Sequence, residues 1–283
     1  MLNAPPSLKD FFSAEDSLLK TRIFVSGSFP EIMAIEALQQ WGRLKSSPGI
    51  SAQILQEKKR KFISEARINI EGGKFRVKFY SYRTRLHHLL ENFFYQSEAM
   101  RNFQMMLYFN SRGLLVPRPL VLAEGYIAGT ALESVLIMED LGPAQTYKEL
   151  IKRIEANPVE VDRLLKELIL SLAQYNQTGI YTLDVDKNIL IKRENGHYQI
   201  YHFDFDNVFP FRKNNPRRAG RSLAFLIRTR QLYQKLPPGQ ISELIDLYLE
   251  QIGKKSWKPA IEKEIKTRLS KKSGPPARAG RPD

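Results

Sequence analysis

The chain has no cysteine. That absence excludes a disulfide framework and any thiolate metal site, and it fits a reducing compartment. No apolar run reaches the roughly 18 residues that a membrane-crossing helix requires. The first ten residues lack the basic-then-apolar order of a secretory leader. The expectation is a cytoplasmic protein without a transmembrane segment. Histidine is scarce: His87, His88, His197 and His202 stand at no metal-ligand spacing. His87-His88 reads as a helix-surface pair and His202 as packing. There is no nucleophile elbow with serine, histidine and aspartate in order, no Walker loop and no internal repeat.

Negative charge is also short. Lys and Arg number 44 against 30 Asp and Glu, a formal net charge of +14 over 283 residues. Residues 254–283 hold ten Lys/Arg and three Asp/Glu, a net of +7. The end of the chain, 271–283, is rich in Gly, Pro and basic residues and reads as a disordered basic tail. A second basic cluster is Arg212, Lys213, Arg217, Arg218 and Arg221. Such charge attracts anionic lipid or a phosphorylated glycolipid, or else forms a solubilising surface. A nucleic-acid role is not expected, because the basic residues lack aromatic interleaving on one face.

Hydrophobic residues at 42% and aromatic residues at 11% support a real core, and the length allows one two-lobed domain or two small ones. Residues 1–49 read as a helical N-terminal extension. Ser28-Phe-Pro-Glu31 resembles a capping box, followed by Ile32, Ile35, Leu38, Trp41 and Leu44 at helical spacing. Residues 50–141 read as a smaller strand-rich lobe and 142–270 as a helical lobe. Leu164, Leu165, Leu168, Ile169 and Leu172 form one helix stripe; Ile241, Leu244, Ile245, Tyr248 and Leu249 form another.

Within the smaller lobe, residues 62–71 alternate apolar and polar, Gly72-Gly73 signals a hairpin, and Phe75, Val77 and Phe79 continue as a strand. The pleat puts Arg76 and Lys78 on the opposite face. A helix is expected over about 86–112, ending at Gly113. Val116-Pro-Arg-Pro119 then forms an extended connector. Val135 to Met138 reads as a buried strand entering a turn at Glu139-Asp-Leu141-Gly142. Further on, Asn188 opens an apolar strand, Gly196 turns, and Tyr198 to Phe203 delivers Asp204-Phe205-Asp206. By itself this could be an ordinary hairpin with an acidic turn.

Taken in order, these segments resemble the lipopolysaccharide kinase family, which phosphorylates Kdo or heptose of the inner core on a protein-kinase-like fold. The residues that carry the resemblance span 60–230: Phe75-Arg-Val-Lys78, Ser97 to Phe103 before Arg112-Gly113, Val116 to Pro119, Met138 to Gly142, Gly179 before Asn188 to Ile191, Phe203 to Asp206, and Arg221-Ser-Leu223 with Leu226-Ile-Arg228. The resemblance implies an α+β fold with a small, mostly antiparallel lobe and a larger helical one. It implies ATP and Mg²⁺ as cofactors. Lys78 would contact the phosphates, Asn188 and Asp204 would hold the metal, and the turn with Glu139 and Leu141 would bind adenine through its backbone.

The departures are specific. The acid expected five residues before Asn188 is Leu183, and the histidine position is Tyr181. Asp184 is the candidate surrogate base, with Asp186 beside it. The helix glutamate expected to pair with Lys78 is replaced by Asn102, and Glu98 lies one turn earlier. No glycine-rich loop precedes the Lys78 strand; Glu57-Lys-Lys-Arg60 stands there. Three functions remain open at this level. The first is ATP-dependent phosphorylation of a sugar hydroxyl in lipopolysaccharide core or a similar glycolipid, in peripheral contact with anionic membrane at the inner face. The second is a catalytically impaired pseudokinase that binds nucleotide or serves as a scaffold. The third is a small-molecule phosphotransferase.

Overall fold

The computed structural model describes residues 20–27, 29–46, 54–57, 63–70, 73–82, 96–179, 188–205 and 214–270. The predicted hairpin around Gly73 is present: β3 (Ile63–Ile70) pairs antiparallel with β4 (Gly73–Ser81), with Ile68 opposite Phe75 and Glu65 opposite Lys78. Two further strands continue the sheet, β5 (Pro119–Ile127) and β6 (Thr130–Glu139). With β1 (Lys20–Val25) and β2 (Ile54–Glu57) they form six strands in the order β1-β5-β6-β4-β3-β2, every pairing antiparallel.

The expectation of a helical extension over 1–49 is met by the helix at Glu31–Ser46 and corrected at Lys20–Val25; residues 1–19, 28 and 47–49 lie outside the described residues. Residues 20–25 form an edge strand on β5, with Ile23 opposite Ala123, because Thr21, Ile23 and Val25 alternate and fit a half-buried pleat. The following helix α1 (Glu31–Ser46) covers one face of the sheet. It presents Ala34, Ala37 and Leu38 to Ile68, Phe75, Val77 and Ile137. Ile32, expected on the apolar stripe, is 79% exposed. The small Ala34 and Ala37 let the helix backbone approach the sheet, so the buried stripe is rotated from the one marked by the larger residues.

Within the stretch expected to be helical over 86–112, the described residues form α2 (Glu98–Ser111). Ser97 ends it on the N-terminal side by accepting the Met100 N–H at 3.0 Å. Gly113, at φ +72°, closes the other end in the left-handed region open to glycine. Residues 86–95 and Gly72 lie outside the described residues.

By its contacts the chain divides into two units, 1–143 with 202–206, and 144–201 with 207–283. The second unit is mainly helical. It holds α3 (Tyr147–Ile154), α4 (Pro158–Gln177), α5 (Pro216–Arg228), α6 (Gln240–Ile252) and α7 (Lys258–Ser270). Its small sheet is β7 (Gln145–Thr146), β8 (Ile189–Glu194) and β9 (His197–His202). Thr146 and Glu149 cap α3 reciprocally, and Asn157 with Pro158 opens α4. The predicted stripe of α4 is buried throughout, and Leu244, Ile245, Tyr248 and Leu249 of α6 join the same core. Asn195-Gly196 turns the β8–β9 hairpin, with both residues at positive φ. The α+β class, with one sheet-dominated unit and one helical unit, is what the sequence implied.

Candidate active site

Alternation along β4 sends Phe75, Val77 and Phe79 into the core under α1, and sends Lys78 and Tyr80 to the opposite face. Lys78 is only 7% exposed. A buried ammonium must be paired or it loses its proton. Its partner is Asp204, whose Oδ1 lies 2.6 Å from Nζ. The Tyr80 ring adds a cation–π contact with Nζ 5.1 Å from the centroid.

Three ties hold the segment that delivers Asp204. His202 N–H donates to the Leu115 carbonyl at 3.0 Å. Phe205 N–H donates to Asn102 Oδ1 at 2.6 Å. The Phe205 ring packs on Phe109, with centroids 5.0 Å apart. Asp204 itself sits at φ +61°, a left-handed conformation that aspartate tolerates better than most residues. His202 is fully buried, and burial pushes its imidazole down to about 4, so it is neutral and serves as packing.

The start of α2 is fixed with similar care. The Ser97 hydroxyl donates to Glu124, a fully buried carboxylate that also accepts from Ser134 at 3.0 Å and from the Tyr126 hydroxyl. Tyr82 Oη accepts the Ala99 N–H at 3.3 Å. Burial pushes the Tyr82 phenol well above its ordinary value, and the Glu98 carboxylate adds to that. Glu98 is half-buried in the first turn of α2. The structure gives Lys78 an ion pair that reaches across 126 residues to Asp204.

The turn after β6 is braced from the sheet. Glu139 N–H donates to the Arg118 carbonyl at 2.9 Å, and its carboxylate accepts from Arg118 N–H at 3.3 Å. Arg67 meets Asp140 at 3.0 Å and donates to the Gly142 carbonyl at 3.3 Å. Glu139 therefore has its main-chain N–H committed within the sheet. Leu141, buried beside it, is outside these bonds.

Asn188 is half-buried at the mouth of β8 in the second unit. An amide oxygen and a carboxylate are hard donors of the kind Mg²⁺ takes, so Asn188 in this unit and Asp204 in the other are each of a residue type that fits that ion. Among the described residues no cluster of three His, Cys, Asp or Glu forms a self-contained metal site. Asp184, Leu183, Asp186, Tyr181 and Asp206 lie outside the described residues, as do Arg212, Lys213 and the 271–283 tail.

Sequence reasoning marked Asn102 only as a departure from a pattern; the structure makes it the hydrogen-bond acceptor for the Phe205 N–H. Phe109, Leu115 and Glu124 carried no sequence signal, since nothing local distinguishes them from ordinary core or strand residues.

A family model described as the Lipopolysaccharide kinase (Kdo/WaaP) family matches residues 52–248. The chain belongs to this family. Its activity is that of a kinase acting in lipopolysaccharide core biosynthesis. A solved structure described as WaaP in complex with acyl carrier protein is 14% identical, with a TM-score of 0.47, and the match covers 87% of this chain and 99% of that one. No curated protein matches. No helix among the described residues is long and apolar enough to cross a membrane.

Proposed function

We propose that the protein transfers the γ-phosphoryl group of ATP to a sugar hydroxyl of the lipopolysaccharide inner core or a similar glycolipid. The observation that carries this reading is the buried Lys78–Asp204 ion pair, 2.6 Å long, with Asp204 held in a left-handed turn. Backbone strain of this kind is kept where a side chain must be aimed. Lys78 neutralises phosphate charge and positions the nucleotide. The turn at Glu139–Leu141 supports adenine. Asn188 and Asp204 would hold Mg²⁺, and the ion would supply neutralisation of phosphate charge. The acceptor oxygen bonds to the γ-phosphorus as the bond from phosphorus to the β-phosphate bridging oxygen breaks, releasing ADP. The hydroxyl proton passes to Asp184. Little is asked of that base when the transition state is loose, so catalysis is chiefly positioning. The acceptor places the work at the cytoplasmic face of the membrane, where the basic residues meet anionic headgroups.

A second reading, a nucleotide-binding pseudokinase, is favoured by one observation: Asn102 stands at the helix position of the expected glutamate and is spent on Phe205. Phosphate transfer from ATP to purified lipid A–core separates the two readings.

The metal assignment has its own test. Asp204→Asn should abolish the Mg²⁺-dependent part of the ATP-induced rise in melting temperature while leaving a cooperative transition. An unchanged Mg²⁺ response in that variant would remove Asp204 from the metal site.

A further inference from the structure

We propose that Asn102 is the positioning residue of the metal turn: a neutral amide that clamps the Asp204–Phe205 peptide and so sets the direction of the Asp204 carboxylate. The inference rests on the reading of Asp204 as a metal ligand for its functional meaning, and on geometry alone for the clamp.

Asn102 is 2% exposed, so each of its polar atoms must be satisfied internally. Oδ1 accepts from Phe205 N–H at 2.6 Å, and Nδ2 donates to the Tyr80 hydroxyl and to the Glu98 carbonyl, both at 3.3 Å. The amide orientation follows from the partners. A backbone N–H can only donate and a backbone carbonyl can only accept, so the oxygen must face Phe205 and the nitrogen must face Glu98. The bond to Glu98 ties the side chain to its own helix one turn back. The bond to Tyr80 ties it to β4, two residues from Lys78.

The peptide that Asn102 grips is the one that follows Asp204. Its orientation is the ψ angle of Asp204, the torsion that accompanies the unusual φ of +61°. Lys78 holds the same residue by its carboxylate. Asp204 is therefore fixed at its main chain by α2 and at its side chain by β4, and Tyr80 touches both holders. The packing of Phe205 on Phe109, also on α2, adds an apolar anchor to the same turn.

An acid at position 102 could accept the Phe205 N–H, but it would lose the donors to Tyr80 and Glu98. It would also set a second negative charge beside the carboxylate that Lys78 neutralises. Asparagine keeps the acceptor and both donors and adds no charge, leaving Lys78 with Asp204.

The test compares wild type with Asn102→Leu, which keeps the branched shape and removes the three side-chain bonds named above, and with Asn102→Asp, which keeps the acceptor and loses the amide donors. Two quantities are read. The first is amide hydrogen exchange of the 202–206 segment in protein without nucleotide or metal. The second is the Mg²⁺ concentration giving half of the ATP-induced shift in melting temperature, with ATP binding in EDTA as the control. Asn102→Leu should speed exchange at Phe205 about tenfold, the scale of one lost buried hydrogen bond. It should also raise the Mg²⁺ midpoint by a similar factor while ATP binding in EDTA stays as in wild type. Asn102→Asp should keep Phe205 protected. Wild-type exchange and an unchanged Mg²⁺ midpoint in Asn102→Leu would overturn the clamp. If Asn102→Leu does not fold, Asn102→Asp carries the decision: loss of Phe205 protection there counts against the acceptor role. If wild-type protein shows no Mg²⁺ response at all, the kinase reading fails, and the exchange arm still decides whether Asn102 holds the turn.

Discussion

Lys78 and Asp204 are the pair on which the site turns, and each leaves the other exposed to a penalty if removed. With side-chain exposures of 9% and 23%, the pair is mostly sheltered from water. Removing one partner takes a neutralising charge from the other, which for fully buried pairs costs about 3–5 kcal/mol and for this partly wetted one about 1–3 kcal/mol. Lys78→Met should therefore lower stability by that amount. The double variant Lys78→Met/Asp204→Asn should be more stable than the sum of its single changes predicts, by about 1 kcal/mol or more, in a urea-denaturation cycle. Additive effects would mean that the two groups do not sense each other. The alternation of β4 made Lys78 legible as the odd face of a strand. Its pairing with Asp204 was not legible, because 126 residues separate the two and the nearby helix offered Glu98 by spacing.

The elements show how much local pattern survives folding. The stripe on α4, the hairpin at Gly73, the turn at Asn195-Gly196 and the extended connector after Gly113 all follow from periodicity and turn chemistry. The stripe on α1 does not, since close approach to the sheet selected alanines over Ile32. The same device recurs where α5 crosses α7. A Cβ at Gly220 would lie 2.9 Å from the Glu264 Cβ and 3.1 Å from the Ile261 carbonyl oxygen. Gly220 lies in a helix, where alanine would ordinarily stabilise by about 1 kcal/mol. Here Gly220→Ala should instead destabilise by about 1–3 kcal/mol, the usual cost of overpacking, as a lower urea midpoint. A stabilised variant would show that the crossing has room to relax.

At the scale of the molecule the largest sequence-encoded property is charge. The net charge is +14, half of it in residues 254–283, and no helix among the described residues is long and apolar enough to cross a membrane. Contact with an anionic bilayer would then be electrostatic and screened over about 10 Å at 0.1 M salt. Binding to vesicles containing phosphatidylglycerol should fall steeply between 50 and 200 mM salt, and deletion of residues 271–283 should weaken it further. Equal binding to neutral and anionic vesicles at low salt would reduce the basic residues to solvated surface.

The sequence by itself determined the α+β class, the strand that carries Lys78, the hairpin that leads to Asp204 and the family resemblance. These depend on period-two and helical patterns and on short motifs, which act within a few residues of themselves. It misplaced residues 20–25 as helical and left the roles of Asn102 and Glu124 unread. Those outcomes were decided by tertiary structure. An edge strand is chosen by the strand it pairs with, 100 residues away on β5. A buried amide or carboxylate is chosen by the donors and acceptors that three separate elements bring to it, because a polar group withdrawn from water must find every partner inside the fold.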